Sequence, residues 1–156
     1  MPFSVHEYLF YALCLEKKIP IFPMRQDARQ DIRGYSAKNF DFVCHNEKKK
    51  EVFLIDLKGS SGRVEDTKVR EDDLNTLRKL QAIYGSNVRG LFVFFWLKRN
   101  KLNGDRFEQT FRIKALSVDE YGKKMKPTNW RGKTFFRCSK NDLKDIRFYL
   151  PELCTP

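Results

Sequence analysis

Hydrophobic and polar positions alternate along the chain in two distinct periods. Leu9, Ala12 and Leu13 recur at helical spacing, and Ser4 with Glu7 forms a capping box ahead of them, which predicts a helix over residues 5–18. Three segments then have strand character: 19–24, 39–45 and 51–59. Residues 46–50 form a hairpin turn between the second and the third. Pro20 and Pro23 place the first of them at a sheet edge. The polar segments 25–38 and 60–68 are expected to be loops.

A second helix and a strongly apolar strand follow. Leu74, Leu77 and Leu80 predict an amphipathic helix over 70–84, closed by Gly85. Residues 88–98 are apolar on both faces, so this strand is expected in the middle of a covered sheet. The predicted order up to residue 98 is therefore α-β-β-β-α-β, in an α/β (α+β) fold with a central mixed sheet flanked by helices.

The remaining third of the chain gives a weaker pattern. It predicts a strand over 106–116, a short helix over 117–125, a strand over 133–138 and a final helix over 140–150. Trp130, Phe135 and Phe136 are expected to pack in the core, with substrate contact as the alternative. Because the chain contains no repeat and no evident linker, residues 1–156 are interpreted as a single domain, with a core at about 4–98 and a carboxy-terminal extension at about 99–156.

Composition narrows the choice of partner. Of the 156 residues, 41% are hydrophobic, and 31 Lys and Arg against 20 Asp and Glu give a net charge of +11. A basic surface of this size favours a polyanion such as nucleic acid. No apolar run approaches the roughly 20 residues of a membrane span, and the amino terminus lacks a signal-peptide pattern, so no membrane partner and a cytoplasmic location are expected. The four cysteines lack zinc-type spacing and are expected to be reduced; they are Cys14, Cys44, Cys138 and Cys154.

The strand over 51–59 carries two charges near its end. Because side chains alternate along a strand, Asp56 and Lys58 share one face with Leu54. The chain has five acidic-x-Lys pairs, of which this one lies at the end of a hydrophobic strand. Burial of such charges is costly unless they are paired or bind an ion. One interpretation is that Asp56 and Lys58 form a simple ion pair at the solvent boundary. The other is that they belong to an ion-binding, catalytic site.

A second carboxylate nearby favours the ion-binding site over the simple ion pair. Asp41 interrupts the preceding strand, and a short hairpin would bring it close to Asp56. Two adjacent carboxylates repel unless one is protonated or a cation lies between them, and Mg²⁺ suits such oxygen ligands. Lys58 could then deprotonate an attacking water or stabilise charge on a phosphate. Glu7 could add a further carboxylate, although capping explains it as well, and helix-dipole stabilisation explains Asp72 and Asp73.

The element order, with Asp41 in one strand and Asp56-x-Lys58 in the next, resembles the PD-(D/E)XK nuclease superfamily, a restriction-endonuclease-like fold with an αβββαβ core. The resemblance covers about residues 4–98. It implies a Mg²⁺-dependent (or Mn²⁺-dependent) endonuclease that hydrolyses phosphodiester bonds, with DNA as the expected substrate. It further implies Asp41 and Asp56 as metal ligands, Lys58 as the residue that assists the water nucleophile, and Glu7 as a further member of the site. A homodimer is compatible with this resemblance.

A narrower resemblance is to the uncharacterised bacterial proteins named for an HYExAFE motif. Glu7 and Phe10 match that motif, Asp27-Ala28-Arg29 matches an acidic-Ala-Arg element, and Lys38 matches a later position. Further similar elements are "FDF", "DLKG", "DDLNTL", "YGSNVRGLFVFF" and Trp130, whereas Val5, His6 and Tyr11 depart from the motif.

Two other functions remain open at this point. The chain could be a catalytically inactive nucleic-acid-binding protein on the same fold, or a basic structural domain in which Asp56 and Lys58 merely pair. Arg29, Arg33 and Lys38 are candidates for binding the nucleic-acid backbone, or they could solvate a loop.

Overall fold

A six-stranded mixed sheet forms the centre of the protein in this computed structural model, which describes residues 3–24, 29–32, 35–38, 40–61 and 65–153. Its strands, numbered by their place in the chain and given in spatial order, are β1 (Ile21–Pro23), β4 (Phe42–Asn46), β5 (Glu51–Ser61), β7 (Val88–Lys101), β8 (Phe107–Ser117) and β11 (Lys144–Asp145). The helices are α1 (Val5–Glu16), α2 (Glu71–Tyr84) and α3 (Val118–Lys124). The strands and 3-10 turns outside this sheet are described below where they matter.

The order of elements in the central sheet is the predicted one. Strands β1, β4 and β5 form an antiparallel meander, with β1 at the sheet edge as its prolines indicated. Helix α2 then crosses over to β7, which pairs parallel with β5, and β8 returns antiparallel. The predicted α-β-β-β-α-β core and its central mixed sheet are confirmed.

Helix α1 begins where the capping box predicted. The Glu7 amide donates to Ser4 Oγ at 3.2 Å, and the Ser4 amide donates to Glu7 Oε2 at 2.9 Å, so two otherwise unpaired amides are satisfied. The helix buries Phe10 and Cys14 against the sheet and ends at Glu16, two residues before the predicted end. Its amino-terminal turn therefore has a fixed position relative to the sheet.

Strand β7 lies at the centre of the sheet, with helices on both sides. Leu91, Val93 and Phe95 pack into the hydrophobic cluster beneath α1. Phe92 and Phe94 pack on the opposite side with Leu77 of α2. Because both faces are covered, a continuous apolar run replaces the usual alternation, as the sequence indicated.

Two predictions of secondary structure were wrong. Within the segment predicted as a loop at 25–38, β2 (Arg29–Ile32) and β3 (Tyr35–Lys38) pair as an antiparallel ribbon. A polar ribbon satisfies its backbone hydrogen bonds without any hydrophobic alternation, so periodicity could not reveal it. The helix predicted at 140–150 is also absent: 3-10 turns at Lys140–Asp142 and Ile146–Phe148 flank β11. There the side chains of Ser139 and Asp145 accept from the amides of Asn141 and Arg147, which competes with a continuous helix.

A second, three-stranded sheet lies in the carboxy-terminal part of the chain. It has the order β6 (Val69–Arg70), β10 (Lys133–Arg137) and β9 (Lys126–Trp130), and a further 3-10 turn follows at Pro151–Leu153. Strand β9 was not predicted. Phe135 is buried as expected, but the prediction that Trp130 belongs to the core was wrong, because its side chain is 56% exposed. Among the described residues, no helix is long and apolar enough to cross a membrane.

Candidate active site

Asp41 directly precedes β4, across from Asp56. The Asp41 amide donates to the Ile55 carbonyl at 2.9 Å, and Asp41 Oδ2 accepts from the Leu57 amide at 2.6 Å. Because Phe42 pairs with Ile55, the next position places Asp41 beside Asp56. The hairpin therefore brings together the two carboxylates that the sequence predicted to meet.

The Asp56 and Lys58 side chains lie on the α2 side of the sheet. Lys58 Nζ is 3.1 Å from Asp56 Oδ2 and 2.7 Å from Asp73 Oδ2, which belongs to the first turn of α2. The Asp56 side chain is 14% exposed and the Lys58 side chain 26%. Lys58 is thus held between two carboxylates at the boundary between the core and solvent.

Asp73 is the residue of this cluster that sequence reasoning missed. The helix dipole explains its neighbour Asp72, which is exposed, but Asp73 is buried at 8% exposure. A usable signal was present in the sequence, because Asp73 precedes Leu77 by four residues and Leu80 by seven. That spacing places all three on the helix face that packs on the sheet.

Burial and neighbouring carboxylates change the protonation of Asp41. Burial, then the charge of Asp56 and that of Glu7, raise the pKa of Asp41 to about 8, although the Leu57 amide opposes the rise. Asp41 is therefore largely protonated at neutral pH and shares a hydrogen bond with Asp56. Burial also raises the pKa of Asp56, against the opposing charge of Lys58. In the absence of a cation, a proton reduces the repulsion between the two carboxylates.

Lys58 keeps its charge in this environment. Burial by itself lowers the pKa of Lys58, but the carboxylates of Asp56 and Asp73 outweigh burial and raise it above the usual value. The side chain is accordingly an ammonium group at neutral pH.

Glu7 belongs to α1, which packs on the side of the sheet opposite to α2. Its carboxylate completes the helix cap, and its charge also contributes to the raised pKa of Asp41. The position of α1 is fixed in part by His6, whose Nε2 lies 3.1 Å from Ser61 Oγ. The His6 ring also lies over Gly59, where any Cβ would overlap it. The structure therefore confirms Glu7 as a capping residue, and its place in the site stays a prediction.

The donor set fits a hard divalent cation. Mg²⁺ typically binds one or two carboxylates and keeps several waters or phosphate oxygens. Asp41 and Asp56 offer such a pair, with Asp73 and the Lys58 ammonium beside Asp56, in a chain of net charge +11. Within the described part of the chain, no group of three or more His, Cys, Asp or Glu forms a ready-made metal-binding cluster. The arrangement thus suits an ion that needs few protein ligands.

The other predicted residues are distributed as follows. Arg29 in β2 pairs in register with Lys38 in β3, and β3 lies beside α2. Arg33 lies outside the described residues, as does Cys154. Cys14 and Cys44 are buried in the core beneath α1, Cys138 is partly buried, and none of the three forms a disulfide with another described residue.

Comparison with known proteins identifies the fold. The chain is similar to the structure of Archaeoglobus fulgidus Hjc, a Holliday junction resolvase from an archaeal hyperthermophile, with a TM-score of 0.53 and 9% sequence identity over 92% of this chain and 96% of that one. D212, a nuclease from a fusselovirus, gives a TM-score of 0.49 and 12% identity over 98% of this chain and 94% of that one. No protein-family model matches the chain, and no curated protein does either. The predicted resemblance to the PD-(D/E)XK nuclease superfamily is confirmed as a likeness of fold, whereas the HYExAFE resemblance stays a prediction.

Proposed function

We propose that this protein is a metal-dependent nuclease that hydrolyses phosphodiester bonds, with DNA as its substrate. The observation that carries the proposal is the meeting of Asp41, which directly precedes β4, with Asp56 and Lys58 in the interior of the neighbouring strand β5. These are the three residues that the sequence pattern selected, and their charges are unusual for partly buried strand positions. The likeness of fold to a Holliday junction resolvase supports the choice of substrate class.

Asp41 and Asp56 would hold the Mg²⁺ or Mn²⁺ ion, with Glu7 close enough to support them electrostatically. When bound, such an ion acts as a Lewis acid toward the phosphate and lowers the pKa of a bound water. The chain's own contribution is to keep the carboxylates together, which it does through the Leu57 amide and the hairpin register. Loss of the Asp41 proton would accompany binding of the cation.

Lys58 would act as a fixed positive charge. Of the two roles considered from the sequence, removal of a proton from water requires a neutral amine, whereas the raised pKa of Lys58 keeps it protonated. An ammonium group in this position stabilises negative charge that develops on the phosphate. Asp73 would act as a positioning residue, since its 2.7 Å contact restrains the ammonium from the α2 side.

The substrate backbone would be held by the basic surface. The net charge of +11 favours binding to a polyphosphate and makes the affinity depend steeply on salt. Arg29, Arg33 and Lys38 remain the candidates for this contact. The same charge would serve a binding protein without turnover, so catalysis has to separate the two functions.

Cleavage of labelled duplex, branched and single-stranded DNA in Mg²⁺ or Mn²⁺ tests the proposal. We expect metal-dependent cleavage by the wild type and a loss of at least about a hundredfold in Asp56→Asn and Lys58→Met, given the typical weight of electrostatic groups in catalysis. Glu47→Gln is the matched control, because Glu47 belongs to another acidic-x-Lys pair in an exposed turn. Salt-sensitive binding without cleavage would instead favour the inactive nucleic-acid-binding protein, and neither binding nor cleavage would favour the structural domain.

A further inference from the structure

Trp130 presents a large aromatic surface to solvent. It is the last residue of β9, at the tip of the β9–β10 hairpin, and its side chain is 56% exposed. The other tryptophan, Trp96, is only 2% exposed, and its indole N–H donates to the Asp66 carbonyl at 3.1 Å. Exposure of an indole is unfavourable in water, so a hairpin that presents one at its tip suggests a contact with a partner.

Positive charges surround this indole. Lys68 Nζ lies 5.9 Å from the centre of the Trp130 ring and 4.9 Å from that of Phe135, and the Arg131 guanidinium lies 4.5 Å from the Trp130 ring. Arg137 lines the same shallow hollow and is paired with Asp66 at 3.3 Å. We call Trp130, Phe135, Lys68, Arg131 and Arg137 the Trp130 surface.

The sequence around this surface is positive over a long stretch. Between residues 121 and 141 there are seven Lys and Arg and no Asp or Glu. An exposed aromatic ring within a strongly basic surface is the combination with which proteins bind unpaired nucleotides: the ring stacks on a base, and the cations contact the phosphates. A duplex offers the same phosphates but keeps its bases stacked on one another, so it cannot use the ring in this way.

We propose that the Trp130 surface binds single-stranded nucleic acid by stacking an unpaired base on the Trp130 indole. Lys68 and Arg131, which flank the ring, contact the phosphates on either side of that base. Phe135, at 8% exposure, forms the floor of the hollow and holds Lys68 in place.

The Trp130 surface is linked to the candidate active site through β6 and α2. Strand β10 pairs with β6, with Phe135 opposite Arg70, and β6 runs into α2. The first turn of that helix carries Asp73, which contacts Lys58. Resting on the proposed nuclease function, we expect a substrate that carries unpaired nucleotides together with the bond that is cleaved, such as a branch or an overhang.

The decisive experiment compares two probes of equal charge in EDTA, where no cleavage takes place. One is a thymidine oligonucleotide, and the other is the same deoxyribose-phosphate chain without bases, each measured by fluorescence anisotropy. We expect the wild type to prefer the base-containing strand by about tenfold, Trp130→Phe to retain part of that preference and Trp130→Ala to lose it, as base stacking on an aromatic ring is worth about that much.

Phe148→Ala provides the matched control. Phe148 is also exposed, at 52%, and Lys144 Nζ lies 4.0 Å from its ring, but it belongs to a different part of the fold. The control should keep the full preference for bases. Equal affinity of the wild type for both probes, an unchanged preference in Trp130→Ala, or an equal loss in Phe148→Ala would each overturn the proposal.

The outcome does not depend on catalysis. If the chain proves unable to cleave DNA, the preference for bases in EDTA still stands or falls on Trp130. Conversely, if Trp130→Ala keeps Asp56-dependent cleavage while the wild type shows no preference for bases, the nuclease function stands and the stacking surface is refuted.

Discussion

Replacement of Asp41 by asparagine should stabilise the metal-free protein, and the gain should grow with pH. An amide has the shape of a protonated carboxyl group. Its oxygen can still accept the Leu57 N–H, and its NH₂ group can donate to Asp56, so the hydrogen bonds at this position are preserved. What the substitution removes is the ability of this side chain to become charged.

The expected magnitude follows from proton linkage. The pKa of Asp41 rises from an ordinary value of 3.8 to about 8 in the folded protein. Between those two values the folded protein binds one more proton at this residue than the unfolded chain. The contribution of Asp41 to the free energy of unfolding is therefore fully present below pH 3.8. It is lost progressively as pH rises toward 8, with a slope of about 1.4 kcal/mol per pH unit. The asparagine side chain does not titrate and lacks this slope, so Asp41→Asn should gain about 2.7 kcal/mol relative to the wild type between pH 5 and 7.

Urea unfolding of both proteins in EDTA at several pH values from about 5 to 8 measures this difference directly. The difference between variant and wild type cancels the titration of all distant groups, and Glu47→Gln in the exposed turn controls for a general charge effect. A difference in unfolding free energy that stays constant over this range would refute the reasoning, because it would mean that Asp41 is already ionised in the folded protein at pH 5.

Two further predictions concern the residues that position the site. Asp73→Asn should lower kcat about tenfold with little change in KM, because it removes one of the two charged contacts that fix Lys58. Asp72→Asn is the control: Asp72 is one residue away and exposed, so both constants should stay unchanged. Steady-state kinetics would contradict this role if the two variants behaved alike. Gly59→Ala should destabilise the protein by about 1–3 kcal/mol because its Cβ would overlap the His6 ring, and His6→Ala in the same chain should recover much of that loss. Chemical unfolding of the single and double variants tests the pair, and strictly additive effects would show that His6 is not the cause.

The central sheet was predictable because hydrophobic periodicity reports burial. The double-sided apolar run of β7 and the alternation in β5 follow directly from which faces α1 and α2 cover. The same alternation predicted that Asp56 and Lys58 share a face, and the short turn predicted at 46–50 indicated the approach of Asp41. Both parts of the site therefore depended on local rules of strand geometry.

The features that were missed depend on interactions that periodicity does not encode. The ribbon of β2 and β3 is polar, and the segment around β11 is governed by side-chain bonds to the backbone from Ser139 and Asp145. Asp73 was assigned to the helix dipole because that explanation is sufficient for an acidic residue in a first turn. Its partner Lys58 lies fifteen residues earlier in the chain, and only the crossover from β5 to α2 brings the two together.

Thermal stability in the presence and absence of millimolar Mg²⁺ or Mn²⁺, measured on the wild type and on Asp56→Asn, tests the proposed site without any need to find the right DNA substrate. At about ten times the dissociation constant, an ion bound to the folded protein adds about 1.4 kcal/mol, a rise of a few degrees in melting temperature for a chain of this size. A rise in the wild type that disappears in Asp56→Asn is the predicted result. An equal rise in both proteins, or none in the wild type at saturating metal, would contradict a divalent-cation site at Asp41 and Asp56.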